Sequence, residues 1–132
     1  MDAKKFDQII NDELDAIREK IVAKNSVEYA PLEKEVSRFH NFETAAALNG
    51  ETIEKTLWGF VSKHIASVAD MVKDDPTTHS VEKWDEKITD ITIYMLILKA
   101  MIIGEHEIKQ ETIGVEAQRR APSILLHTMN PE

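Results

Sequence analysis

The stretch Glu86-Lys-Ile-Thr-Asp90-Ile-Thr-Ile-Tyr-Met-Leu-Ile-Leu-Lys-Ala-Met-Ile-Ile103 decides the fold, because it is the most apolar segment of the chain. Its apolar residues recur at spacings of three and four, which is typical of a helix. One helical face carries Trp84, Ile88, Ile91, Met95, Leu98 and Ile102. The opposite face carries Ile93, Ile97 and Met101. One layer of partner helices covers one face, so we expect a further subunit or a central position in a bundle to cover the second.

Similar periodicity upstream predicts three more helices. The expected bounds of the first, second and fourth helices are 3–24, 31–48 and 81–104, and the third is expected to begin near Thr52 and to run until the turn Asp74-Asp75-Pro76. Asn49-Gly50 is the expected C-terminal stop of the second helix, Ser80 the N-cap of the fourth, and Gly104 its end. Short links and no convincing strand indicate an all-α four-helix bundle over residues 1–104. We expect the extension 105–132 to dock on the bundle or on a neighbouring subunit.

The composition narrows the classes of function. The chain has 132 residues, a formal net charge of -8 and no cysteine. The acidic balance argues against binding of a nucleic-acid polymer, which requires a basic surface. The N-terminus lacks a signal-peptide core, and the apolar run 91–103 is shorter than the roughly 17–25 residues that span a bilayer. We therefore expect a cytoplasmic protein that does not enter a membrane.

An acidic pair, Glu86 and Asp90, lies one helical turn apart at the head of the apolar stretch. Two such carboxylates repel each other, and their proximity becomes favourable when a divalent cation lies between them. Asp70 of the preceding helix can add a third oxygen ligand. The sequence therefore predicts a magnesium site, and catalytic carboxylates, at these three residues. In the alternative interpretation, Glu86 is solvated near the helix start and Asp90 is an ordinary ion-pair partner.

Candidate substrate-binding residues surround the acidic pair. Lys63, Ser67 and Asp70 share one face of the third helix, so Lys63 can contact a phosphate and Asp70 can orient a metal-bound water. In the alternative interpretation this face is simply exposed, and the neighbouring His64 is a hydrogen-bonded core or interface residue. The remaining candidates for binding a base or its phosphates are Lys24, Asn25, Arg38, Asn41, Lys87 and Tyr94. The usual motifs of kinases, serine hydrolases and zincins are absent from the sequence.

Three segments resemble small phage and prophage proteins of the nucleotide modification associated domain type: Asn41–Ala46, Leu57–Val72 and Glu86–Tyr94. Those proteins in turn resemble the all-α, MazG-like nucleoside triphosphate pyrophosphohydrolases, and the likeness covers about residues 20–104. In these enzymes a Glu-x-x-Glu pair and a later acidic pair hold magnesium on the triphosphate. Asp90 matches the last acid of the later pair, Glu86 an acidic position one turn before it, and Tyr94 the residue four positions after it.

The resemblance implies hydrolysis of a nucleoside triphosphate to monophosphate and pyrophosphate by a homodimer or homotetramer. The chain departs from the pattern because the third helix offers Lys63 and Asp70 where the enzymes have Glu-x-x-Glu. Fewer carboxylates favour nucleotide binding over hydrolysis. One alternative is therefore a non-catalytic protein that sequesters a nucleotide or binds a host protein. Another is a helical oligomer whose acidic pair is solvated.

Overall fold

The computed structural model describes residues 1–23 and 37–121. This part of the chain contains four α-helices and no strand: α1 (Ala3–Arg18), α2 (His40–Asn49), α3 (Ile53–Met71) and α4 (Val81–Arg120). A π-helical segment, Glu19–Ala23, follows α1, and a 3-10 turn, Pro76–Thr78, precedes α4. The all-α prediction is confirmed. Along the described ranges, no helix is both long and apolar enough to cross a membrane.

Local chemistry sets most helix ends. The side chains of Asp2, Thr52 and Ser80 each accept a hydrogen bond from the backbone N–H three residues ahead, at 2.7, 3.3 and 3.2 Å. These caps satisfy N–H groups that the first turn of a helix leaves without partners. Gly50 ends α2 in the left-handed region, with φ at 66°. The predicted cap at Ser80 and the predicted stop at Asn49-Gly50 are confirmed.

The start of α2 differs from the prediction. Pro31, where we expected the helix to begin, lies outside the described residues, and residues 37–39 precede the first helical residue, His40. The Ser37 hydroxyl accepts a hydrogen bond from the Phe39 N–H at 3.1 Å and donates one to the Glu43 carboxylate at 2.8 Å. Such side-chain bonds compete with helical backbone bonds. The predicted helix over residues 37–39 is therefore wrong.

The prediction that α4 ends at Gly104 is also wrong, because the helix continues to Arg120. A glycine ends a helix when it adopts a left-handed conformation. Among the described glycines only Gly50 has a positive φ. Gly104 instead lies inside a helix that good helix formers continue, so residues 105–120 are regular. The remainder of the expected docking segment, 122–132, lies outside the described residues, and the chain divides into two compact units after Lys99.

The core of the first unit, residues 1–99, is small. Its buried apolar residues are Ile17, Phe42, Ala46, Leu57, Val61, Met71, Ile93 and Ile97. Helices α2 and α3 make the most extensive contact between α-helices of the described chain. A hydrogen bond from the Thr89 hydroxyl to the Glu13 carboxylate, 2.7 Å long, links α4 to α1. Among the described residues the core is therefore mainly apolar, and Thr56 and Thr89 are its buried polar members.

The two apolar faces of α4 differ in their exposure to solvent. Ile93 and Ile97 are 0% and 5% exposed, so the chain itself buries the face for which we expected a further subunit or a central position. Ile88 and Met95, on the opposite face, are 46% and 42% exposed. The stripe of α1 is similarly open, as Phe6 is 56% exposed. The apolar residues that still lack a packing partner therefore lie on the opposite face of α4 and on α1.

Candidate functional site

Three residues from the sequence analysis meet between α3 and α4: His64, Asp90 and Tyr94. We call them the Asp90 cluster. The Nδ1 atom of His64 lies 3.8 Å from an Asp90 carboxylate oxygen. The rings of His64 and Tyr94 are 5.7 Å apart at an angle of 36°. Asp90 and Tyr94 are one turn apart on α4, which places both side chains towards the same side of the helix.

The cluster is largely shielded from solvent, since the side chains of His64 and Asp90 are 22% and 16% exposed. His64 Nδ1 is buried, and it has no hydrogen-bond partner among the residues that the structure describes. A shielded carboxylate is costly unless a cation or a hydrogen-bond donor offsets its charge. The His64 ring lies beside this carboxylate. The arrangement can therefore present an oxygen ligand next to an imidazole nitrogen and the Tyr94 ring.

Glu86 has a different environment from Asp90, although it lies only one turn away. Its side chain is 62% exposed and pairs with the Lys87 ammonium at 3.0 Å. The hydrogen bond from Lys87 and the charge of that ammonium hold the pKa of Glu86 below its ordinary value. This geometry fits a solvated ion pair near the start of α4. Glu86 remains on the same side of the helix as Asp90.

Asp70 is the most exposed of the three predicted ligands. Its side chain is 78% exposed and pairs with Lys73, one turn ahead, at 3.0 Å. Across residues 1–23 and 37–121, no three histidine, aspartate or glutamate side chains form a group that could hold a metal ion. The described structure therefore does not bring Asp70, Glu86 and Asp90 together as one cluster.

The other predicted substrate-binding residues are distributed over the chain. Arg38 donates a hydrogen bond of 2.6 Å to the Ile21 carbonyl, which ties it to the π-helical segment. Asn41 and Lys63 are exposed on α2 and α3. Lys24 and Asn25 lie outside the described residues. Arg38 therefore has a structural contact in addition to any binding role.

Two phenylalanines extend the Asp90 cluster into an aromatic row of Phe60, Phe42, Tyr94 and His64. The Phe42 ring is 6.0 Å from Phe60 and 6.3 Å from Tyr94, and the latter contact is edge to face. Phe42 is 2% exposed, whereas Phe60 is 40% exposed. Phe42 therefore belongs to the core. The position of Phe60 in the row has no sequence signal beyond helical spacing.

A groove runs beside the exposed end of this row and has a volume of about 270 Å³. Its lining residues, which we call the lysine groove, are Asn49, Glu51, Lys55, Thr56, Gly59, Phe60 and Lys63. Sequence reasoning had identified only Lys63 among them. The spacing of four between Lys55, Gly59 and Lys63 is the signal that could have revealed the groove.

A second depression, of about 700 Å³, lies at the turn before α4 and is mainly apolar. Trp84 lines it and donates its indole N–H to the Pro76 carbonyl at 3.0 Å. His79 Nε2 lies 3.6 Å from an Asp74 carboxylate oxygen. These contacts fix the turn that leads into α4.

The element that carries the family resemblance, Glu86–Tyr94, is a continuous part of α4. A scan against protein-family models and searches of curated proteins and of solved structures found no match to this chain. The resemblance to MazG-like enzymes therefore stays a prediction based on these residues.

Proposed function

We propose that the chain binds a nucleotide at the Asp90 cluster, where Asp90 and Glu86 would hold a magnesium ion that offsets the phosphate charge. The observation that supports this proposal is the shielded Asp90 carboxylate, 16% exposed and beside His64. Magnesium keeps several waters and is often held by one or two carboxylates together with substrate phosphates. Asp90 and Glu86, one turn apart, fit such a two-carboxylate site. Tyr94 offers a ring and a hydroxyl next to it.

The hydrolytic form of the proposal converts a nucleoside triphosphate into a monophosphate and pyrophosphate. A water oxygen bonds to the α-phosphorus, the bond from that phosphorus to the bridging oxygen breaks, and pyrophosphate leaves. Magnesium would neutralise phosphate charge. Lys63 contacts the phosphates and His64 accepts the proton of the water.

The test combines calorimetry with a pyrophosphate assay on a panel of unmodified and modified nucleotides, with magnesium. We expect Asp90→Ala to weaken nucleotide binding by about tenfold or more, since a charge-assisted contact is lost. Asp85→Ala is the matched control, because Asp85 is an exposed acid on the same helix. Its binding should equal that of the parent. If no nucleotide is hydrolysed and Asp90→Ala binds like the parent, the enzymatic proposal fails.

A second candidate is a non-catalytic protein that sequesters a nucleotide or binds a host protein through its acidic surface. The exposure of Glu86 and Asp70, each paired with a lysine, favours this alternative. Calorimetry distinguishes the two forms. Stoichiometric binding without pyrophosphate indicates sequestration, whereas absence of any nucleotide affinity indicates a protein partner.

We also propose that the functional form is a homodimer or homotetramer. The support is the exposure of Ile88 and Met95 on α4 and of Phe6 on α1, at 46%, 42% and 56%. Large apolar side chains left exposed on helices commonly mark an interface when they form a patch. Light scattering should report two or four times the chain mass. Met95→Lys should lower that mass, and a monomeric parent chain would contradict the proposal.

A further inference from the structure

The lysine groove is built on one side of α3. Lys55, Gly59 and Lys63 follow each other at a spacing of four, so they lie one above the other along the helix. Gly59 leaves an open floor between the two lysines, since a Cβ atom placed there would meet nothing within 4 Å. Both lysines have long flexible stems that can converge on an anion between them.

The two cations of the groove are available for a ligand. Lys73 and Lys87 each pair with a carboxylate at 3.0 Å. Lys55 and Lys63 form no such pair in the part of the chain that the structure describes, although the net charge of the whole chain is -8. Two uncommitted ammonium groups suit a phosphate dianion. The Glu51 carboxylate also lines the groove and opposes additional negative charge, which favours a monoester over a polyphosphate.

An aromatic side chain lines the same groove. Phe60 is 40% exposed, and the buried Phe42, 6.0 Å away, supports its ring from the other side. Exposed aromatic rings of this kind stack on flat nucleic-acid bases, and they do so with any of the bases. Asn49 adds an amide that can both donate to and accept from the edge of a base. The groove therefore combines a phosphate end with a ring end.

We propose that the lysine groove binds a phosphate monoester that carries a flat aromatic ring, without a metal ion; a nucleoside 5′-monophosphate is the simplest probe. Two lysines neutralise the phosphate and Phe60 stacks on the ring. The volume, about 270 Å³, is close to the lower end of small-molecule sites, roughly 300 Å³. The groove goes beyond the proposed function because it needs neither magnesium nor a residue of the Asp90 cluster. It shares Lys63 with the proposed function, so Lys55 is the lysine that distinguishes the two sites.

The experiment is a calorimetric titration of the full chain with nucleoside monophosphates in the presence of EDTA. We expect saturable binding, and we expect Lys55→Ala and Lys63→Ala each to weaken it by about tenfold. Lys73→Ala, at the turn just after α3, is the control lysine and should bind like the parent. Inorganic phosphate alone and the nucleoside alone should each bind more weakly than the monophosphate.

A blocking variant keeps the test independent of charge. Gly59→Leu places a side chain on the open floor of the groove, and leucine has a higher helix propensity than glycine. We expect this variant to lose binding while its helicity and melting temperature are equal to or above those of the parent. Binding that survives Gly59→Leu and both lysine variants would overturn the proposal, as would the absence of binding in EDTA.

The outcomes also separate this site from the magnesium proposal. Binding in EDTA that depends on Lys55 but not on Asp90 supports the groove, even if the Asp90 cluster binds nothing. Binding that requires magnesium and Asp90, with none in EDTA, overturns the groove and leaves the proposed function standing.

Discussion

Within residues 81–99, the two faces of α4 have similar composition but differ in their exposure to solvent. Thr89, Ile93 and Ile97 on the inward face are at most 5% exposed, whereas Ile88 and Met95 on the outward face exceed 40%. Side-chain hydropathy does not explain this difference, because isoleucine occurs on both faces. What lies opposite each face decides its burial. A hydrophobic pattern therefore predicts which faces require cover, and only packing determines which face receives it within one chain.

The largest expected effect comes from truncating the inward face. Ile93 is 0% exposed, so Ile93→Ala leaves a cavity and should lower the free energy of unfolding by about 2–5 kcal/mol. At concentrations where the chain is monomeric, Met95→Ala on the outward face should change it by about 0.5 kcal/mol or less, as for other exposed positions. Urea unfolding monitored by circular dichroism measures both variants.

The same two variants can contradict the proposed difference between the inward and outward faces. If Met95→Ala is as costly as Ile93→Ala and its cost grows with protein concentration, a second copy covers the outward face. If both variants cost little at every concentration, the inward face is not the core that the structure describes.

Local chemistry made several features predictable from sequence. The bounds of α3, the Ser80 cap and the Gly50 stop each depend on a side chain or a backbone conformation within a few residues. Such interactions form wherever the local sequence occurs, because they need no tertiary partner. Sequence reasoning was accurate for these three features. It missed the side-chain bonds of Ser37, which are equally local, and the continuation of α4 through Gly104.

Features that depend on distant residues were not predictable. Glu86 and Asp90 are one turn apart, yet their side chains are 62% and 16% exposed. This difference arises because α3 places His64 opposite Asp90, and sequence spacing on α4 contains no information about that. The contact of Phe42 with Tyr94 similarly requires α2 to approach α4. Gly104 failed as a stop signal because a glycine does not end a helix that its neighbours continue.

The second prediction concerns the polar edge of the inward face. Thr89 is 4% exposed and donates its hydroxyl to Glu13, so Thr89→Val should cost about 1–3 kcal/mol by leaving that carboxylate without its donor. Thr92→Val is the control, because the Thr92 hydroxyl bonds to the Ile88 carbonyl within its own helix. A double-mutant cycle with Glu13→Ala measures the coupling. Zero coupling would show that the link from α4 to α1 is absent in solution.

The third prediction tests the continuity of the helix that carries both faces. Gly104→Ala should stabilise the protein by about 0.5–1 kcal/mol, because alanine is favoured inside a helix. Gly50→Ala should destabilise it by about 1 kcal/mol, since alanine is strained at a φ of 66°. Thermal unfolding followed by the circular dichroism signal of the helices measures both changes in stability. If Gly104→Ala instead destabilises the protein, the result supports a helix that ends at Gly104, as we predicted from the sequence.

The smallest expected effect is the pH dependence of the stability that Glu86 contributes. Glu86 is exposed to solvent, unlike the shielded residues further along the inward side of α4. The bond from Lys87 lowers the pKa of Glu86 from 4.5, so its stabilising contribution is present above 4.5 and is lost as the pH falls through the lowered value. Glu86→Gln should therefore be slightly less stable than the parent at neutral pH, and the two should converge well below 4.5. Added salt should shrink the difference, because the pair is exposed. If Glu86→Gln is instead more stable at neutral pH, repulsion from Asp90 exceeds the attraction of Lys87. A cation between the two carboxylates would then be favourable, as the magnesium proposal requires.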